Sequence, residues 1–209
     1  MKRIGLTQRV QVINSYDERR DALDQRWYKL ALNLGWLPMA LPNIDPSRAE
    51  QLVNEYDLDG IILTGGNSLH VLEPNNPNVA PERDKFETEL ISLSVKNNIP
   101  ILGVCRGMQI VNSYFGGTFE KISNHVAVEH ELKIKSGDFD FPTLVNSFHE
   151  WCIPASGLAS NLKPLACDAN ENIEAFRHES FNVFGIMWHP ERAIQLSSGE
   201  INFFKRIFL

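Results

Sequence analysis

The sequence predicts an α/β protein built on a mostly parallel sheet, with helices on both faces and a small antiparallel extension. Three observations carry that reading. Strand-like and helical stretches alternate from Lys2 to Phe119. Three runs, Gly60–Leu63, Ile99–Val104 and Val183–Met187, are apolar almost throughout, as strands buried on both faces are. After Phe119 the texture changes to strand-like pieces joined by turn-rich stretches.

Element by element, Lys2–Thr7 reads as a first strand. Glu18–Leu34 reads as an amphipathic helix, with Leu23, Trp27, Leu30 and Leu34 at helical spacing and Gly35 as its C-cap. Trp36–Leu41 reads as a strand despite Pro38, and Pro46–Tyr56 as a short helix opened by proline. The strand Gly60–Leu63 ends in Thr64-Gly65-Gly66. Glu82–Asn97 is the next helix, and Ile99–Val104 is a strand that runs directly into Cys105. The extension holds Ala127–Ile134 and Asn172–Arg177, with a turn at Asp168-Ala169-Asn170. Strand Val183–Met187 returns the chain to the core, and an apolar helix, Gly199–Leu209, closes it. Pro74–Pro81 reads as an irregular loop near Gly66 that could move. The expectation is one domain over residues 1–209.

Composition narrows the function. The formal charge of −6 is spread along the chain, and no basic run suggests nucleic acid or an anionic membrane. The N-terminal segment is too short and too polar after Leu6 for a secretory signal, and no apolar run reaches membrane-spanning length, so a cytoplasmic location is the default expectation. Three widely spaced cysteines, Cys105, Cys152 and Cys167, argue against a disulfide framework or a zinc site. No P-loop and no GxGxxG is present.

In an open α/β sheet, ligands bind beyond the carboxyl ends of the strands. Three segments put polar chemistry there: Gly65-Gly66, Cys105 and His189. Gly103-Val104-Cys105-Arg106-Gly107 follows an apolar strand and precedes a helical start, which is the nucleophile-elbow pattern with cysteine in place of serine. The two glycines let the tight turn pass close to its neighbours. The turn also sets the thiol at a helix N-terminus, which favours thiolate. The plainer reading is a buried cysteine between two glycines. Cys152 and Cys167 lack this context and read as packing residues. A cysteine nucleophile needs a base and an orienter. His189 follows a core strand, and Glu191 lies two residues on. If the chain stays extended there, both side chains point the same way. His125, His130 and His178 read as ordinary polar residues without metal-ligand spacing, and no metal site is expected.

Together, Thr64-Gly65-Gly66, Gly103-Val104-Cys105-Arg106-Gly107-Met108-Gln109 and Phe184-Gly185-Ile186-Met187-Trp188-His189-Pro190-Glu191 resemble the class I glutamine amidotransferases over nearly the whole chain. Thr7-Gln8-Arg9, Gly116-Gly117-Thr118 and Val145-Asn146-Ser147-Phe148-His149 resemble the free-standing γ-glutamyl hydrolases of that family. The resemblance implies a flavodoxin-like sheet and a catalytic triad of Cys105, His189 and Glu191. It implies an oxyanion hole from the backbone N–H groups of Gly66 and Arg106. Gly65, Asn67, Gln109, Ser147, Phe148 and His149 are the substrate-binding residues it implies, around the glutamyl group.

The expected reaction is hydrolysis of a γ-glutamyl C–N bond through a thioester on Cys105, with no metal or organic cofactor. The expected partner is a small γ-glutamyl molecule, a nucleotide-linked one included. A separate and lesser expectation is that Arg9, Arg106 and His70 meet an anionic leaving group, against the simpler reading of surface charge. Three other readings compete. One is a glutaminase subunit that delivers ammonia to a separate synthetase. Another is a binding module that keeps the fold without activity. The third is a cysteine peptidase acting on ordinary peptides.

Overall fold

The computed structural model describes residues 1–15 and 17–208. In chain order the elements are β1 (Lys2–Thr7), β2 (Arg9–Ile13), β3 (Glu18–Ala22), α1 (Gln25–Asn33), β4 (Trp36–Leu41), α2 (Ala49–Glu55), β5 (Gly60–Leu63), α3 (Pro81–Asn97), β6 (Ile101–Val104) and α4 (Arg106–Tyr114). They continue with β7 (Glu120–Lys121), β8 (Val126–Glu131), β9 (Lys133–Ile134), β10 (Leu144–Phe148), β11 (Trp151–Cys152), β12 (Leu162–Cys167), β13 (Ile173–His178), β14 (Val183–Ile186) and α5 (Ser198–Ile207). Leu209, the last residue of the expected closing helix, lies outside the described residues.

The main sheet has eight strands in the order β4-β1-β5-β6-β14-β13-β12-β9. The first five are parallel, in the flavodoxin-like order, and β13, β12 and β9 add antiparallel pairs. Helices α1 and α5 cover one face, through Trp27, Leu30, Phe203 and Phe204. Helices α2, α3 and α4 cover the other, through Val53, Phe86, Leu90, Met108 and Val111. The strands β5 and β6 are buried at every position, which is why their sequences are unbroken apolar runs. Among the described residues, no helix is long and apolar enough to cross a membrane.

Two expectations are corrected. The expected strand Ala127–Ile134 divides at Leu132 into β8, which pairs with β10 in a sheet of its own, and β9, which pairs with β12 in the main sheet. Residues 18–22 are not the start of a helix; they form β3, which pairs with β2 as an antiparallel hairpin. The segment Glu18-Arg19-Arg20-Asp21 carries no apolar residue to bury, so it gains nothing from a helical stripe. The helix begins only after Asp24, whose carboxylate accepts from the Arg26 N–H at 3.0 Å as an N-cap. Its end agrees with the sequence: Gly35 takes φ +78° just past the last turn. The segment Pro74–Pro81 is tied down at several points. Ser68 N–H bonds to the Asn78 carbonyl, and Asn67 Nδ2 donates to Asn78 Oδ1 at 3.2 Å.

Candidate active site

Cys105 stands between β6 and α4 with φ +53° and ψ −107°, a conformation a non-glycine residue rarely adopts. The neighbouring glycines make it feasible. A Cβ on Gly103 would lie 2.3 Å from the Gly107 carbonyl oxygen, and one on Gly107 would lie 2.0 Å from the Leu63 oxygen. The thiol therefore sits at the start of α4, on the carboxyl side of the sheet, and it lines an open cavity of about 280 Å³.

His189 reaches the same cavity from the end of β14. It is extended, as a residue before proline prefers, but Pro190–Arg192 forms a 3₁₀ turn. The expectation of an extended chain through Glu191 is thus corrected. The carboxylate reaches the ring regardless, with His189 Nδ1 donating to Glu191 Oε1 at 2.7 Å. Burial alone would push the imidazole down. The neighbouring Cys105 sulfur and the Glu191 carboxylate outweigh it and hold His189 up at about 9. Two further contacts fix the ring. Asn146 grips the His189 backbone at both ends, accepting from its N–H at 2.9 Å and donating to its carbonyl at 2.9 Å. Gly65 lies flat against the imidazole, where a Cβ would come within 2.7 Å of Cε1.

The two candidate oxyanion donors are aimed by their own peptides. A trans peptide points its N–H opposite its carbonyl. The Cys105 carbonyl accepts from Gln109 N–H inside the helix, so Arg106 N–H faces the helix mouth. The Gly65 carbonyl faces Arg83 Nη1 at 3.3 Å, so Gly66 N–H faces the other way. Arg83 holds the whole loop, donating to the Gly66 and Thr64 carbonyls at 2.6 Å each.

Arg83 belongs to a buried ion network that the sequence does not reveal. Its Nε donates to Glu87 Oε1 at 2.8 Å, and the Arg106 guanidinium pairs with Glu87 and Asp84. Burial and the facing Arg106 charge lower Arg83 to about 10. Glu87 is held below the usual range because its two arginines outweigh its burial. Arg106 spends both of its Nη atoms on this network and is buried, with only its Nε left without a partner. The expectation that its side chain meets a leaving group is corrected.

The other expected residues divide. Arg9, Gly66, Asn67, Gln109, Phe148 and His149 line the cavity. Asn67 spends its amide on the Val10 backbone, accepting at 2.8 Å and donating at 2.9 Å. Gln109 donates to the Trp151 carbonyl at 3.1 Å. Ser147 is wholly buried, and its hydroxyl donates to the His125 carbonyl at 2.7 Å, so it supports the cavity from behind. His70 does not line the cavity; its N–H bonds to Asp84 Oδ2 at 2.9 Å. Arg192, which sequence reasoning does not single out, does line it, with its guanidinium 4.0 Å above the Phe148 ring. Its position directly after His189-Pro190-Glu191 is the available signal.

The histidines that read as ordinary polar residues are not scattered. His125, His130, His149 and Glu174 bring one donor atom each to within 4.8 Å of one another. They come from the loop before β8, from β8, from the end of β10 and from β13, so no local spacing announces them. Burial, with neighbouring His125 adding, pushes His149 down to about 4. Burial holds the Glu174 carboxyl well above its usual range, and the Asp168 and Cys105 charges add to that.

The Peptidase C26 family matches residues 3–191. The chain is 35% identical, over 95% of its length and 94% of the other protein's, to the γ-glutamyl-CDP-amidate hydrolase of Campylobacter jejuni. It is 30% identical, over 73% of its length and 75% of the other's, to one subunit of the glutamine-hydrolysing GMP synthase of Pyrococcus abyssi. A glutamine amidotransferase structure from Thermotoga maritima superposes with a TM-score of 0.67 at 19% identity, over 98% of this chain and 83% of that one, which shows the shared fold.

Proposed function

This chain belongs to the Peptidase C26 family, and from that premise we propose that it is a cysteine hydrolase releasing L-glutamate from a γ-glutamyl C–N bond. The observation that carries the reading is the joint placement of a strained Cys105 at a helix N-terminus and a His189–Glu191 pair in one cavity. Cys105 thiolate attacks the γ-carbonyl. The N–H groups of Gly66 and Arg106 take the oxyanion, a contribution commonly worth about 3 kcal/mol per donor. His189, held as an imidazolium by Glu191 and Cys105, gives its proton to the leaving nitrogen. Neutral again, it then activates a water that frees glutamate from the thioester.

The proposed substrate is γ-glutamyl-CDP-amidate, in capsular polysaccharide modification. Similarity to the Campylobacter jejuni hydrolase supports this over nearly the whole of both chains. The shape supports it too. Phe148, His189 and Arg192 are shared with a second groove of about 870 Å³, bordered by Arg26 and also by Glu129 and Glu200, which has room for a nucleotide-linked leaving group. The second reading is a glutaminase subunit that passes ammonia to a synthetase, which the Pyrococcus abyssi relative favours.

Glutamate release by the purified chain alone decides between them. The substrates to compare are glutamine, γ-glutamyl amines, a γ-glutamyl peptide and γ-glutamyl-CDP-amidate. Fast release from the CDP-amidate, with glutamine poor, is expected. Glutamine as the only substrate, and a slow one, would overturn the hydrolase reading in favour of the glutaminase.

A further inference from the structure

We infer that His125, His130, His149 and Glu174 form a binding site for one divalent transition-metal ion of the zinc class, beside the Cys105 cavity. The cluster has donor chemistry and geometry, and no hydrogen bond joins its members. His130 Nδ1 lies 3.2 Å from the Glu131 carbonyl, and His149 Nδ1 lies 3.1 Å from the Trp151 carbonyl. A carbonyl only accepts, so each Nδ1 carries the ring proton and each Nε2 keeps a lone pair. Backbone carbonyls orient metal-binding imidazoles in this way. Both Nε2 atoms and Glu174 Oε2 are buried and have no hydrogen-bond partner. His149 and Glu174 are 5% and 1% exposed, so bulk water does not serve them.

The separations fit an ion better than direct contact. His130 Nε2 is 3.6 Å from Glu174 Oε2, and His149 Nε2 is 3.8 Å from Glu174 Oε1. Both are too long for a hydrogen bond. They approach the roughly 3.4 Å edge of a tetrahedron whose metal–ligand bonds are about 2.05 Å. The remaining spans, all within 4.8 Å, close by a small inward turn of the less buried His125 and His130. Three imidazoles and a carboxylate suit zinc, and also cobalt and nickel, rather than magnesium or calcium.

Four protein donors fill a tetrahedron and leave no open position for a reacting water. The ion is therefore structural. It would tie β8 and the end of β10 to β13, and so fix His149 where it lines the cavity. The hydrolytic chemistry stays with Cys105. Nothing in this inference depends on which γ-glutamyl substrate is cleaved.

The test uses the full chain, stripped with a chelator and dialysed. Zn²⁺ is titrated by calorimetry, and Co²⁺ is followed by its d–d absorption. The expected result is one ion per chain, a tetrahedral Co²⁺ spectrum without a thiolate charge-transfer band, and a melting temperature that rises with Zn²⁺ concentration. Cys105→Ala should keep all three. Glu174→Gln and, at a more accessible position, His130→Ala should each lower the affinity by at least about tenfold. Circular dichroism should show both variants folded, and His130→Ala alone carries the comparison if Glu174→Gln does not fold. Well under one ion per chain would overturn the inference. So would unchanged affinity in folded His130→Ala, or a thiolate band lost in Cys105→Ala, which would assign the ion to the nucleophile.

Discussion

The parallel half of the main sheet and the small antiparallel pairs beside it, β8 with β10 and β7 with β11, contribute to the same cavity in different ways. The parallel half delivers backbone: the strained turn at Cys105 and the Thr64-Gly65-Gly66 loop, both fixed by close packing and by buried Arg83. The antiparallel pieces brace and complete the site: the Trp151 carbonyl of β11 anchors Gln109 of α4, Asn146 of β10 grips the His189 backbone, and Phe148 and His149 line the cavity. Turns between parallel strands and helices leave little room for change, whereas register between antiparallel strands brings together residues distant in sequence. The difference can be broken or sharpened by substitution.

Arg83→Ala should have the largest effect on stability. It leaves Glu87 buried beside a single partner and frees three carbonyls, at a cost of about 3–5 kcal/mol. Urea unfolding measures it, and a loss under about 1 kcal/mol would mean that the loop does not depend on the network. Gly107→Ala comes next. Its methyl would meet backbone at 2.0 Å, so about 3 kcal/mol or more is expected. Gly137→Ala, in the extension, meets nothing within 4 Å and should stay within about 0.5 kcal/mol. Equal losses at the two glycines would erase the contrast between the halves.

Glu191→Gln removes one of the groups that raise His189, so the imidazolium should be lost at lower pH than about 9. The basic limb of the kcat/KM profile should move toward acid, and activity at neutral pH should fall about a hundredfold. A basic limb that stays in place would separate Glu191 from the imidazole. Asp24→Ala, at the edge of the parallel half, should cost about 1 kcal/mol through its lost cap. Its carboxyl is held down at about 2, chiefly by Arg26. The stabilisation is thus present above about pH 4 and fades as pH falls toward 2; since more than a third of the Asp24 side chain is exposed, salt weakens it.

The same contrast explains what the sequence discloses. Buried parallel strands announce themselves as short apolar runs, and the elbow needs glycine at two fixed offsets, so β5, β6, β14 and the surroundings of Cys105 are legible. His189 and Glu191 can be paired because they are neighbours along the chain, although the turn between them is not what an extended reading expects. The hairpin of β2 and β3 escapes notice because β3, Glu18-Arg19-Arg20-Asp21-Ala22, is charged and exposed and pairs with nothing its own pattern announces, even though β2 alternates Val10 and Val12 with Arg9 and Gln11. Arg83 and Glu87 look like surface charges on a helix, and only the fold shows that they face inward. The histidine cluster depends on four segments meeting, which no local pattern encodes.

The proposed hydrolysis stands or falls on a γ-glutamyl thioester at Cys105. Acid-quenched reactions with γ-glutamyl-CDP-amidate, followed by intact-protein and peptide mass spectrometry, test it directly. A γ-glutamyl adduct is expected on the Cys105 peptide of the wild type. None is expected in Cys105→Ala, whose glutamate release should fall by at least about a thousandfold with the fold retained. Undiminished release by folded Cys105→Ala, with no adduct in either protein, would contradict it.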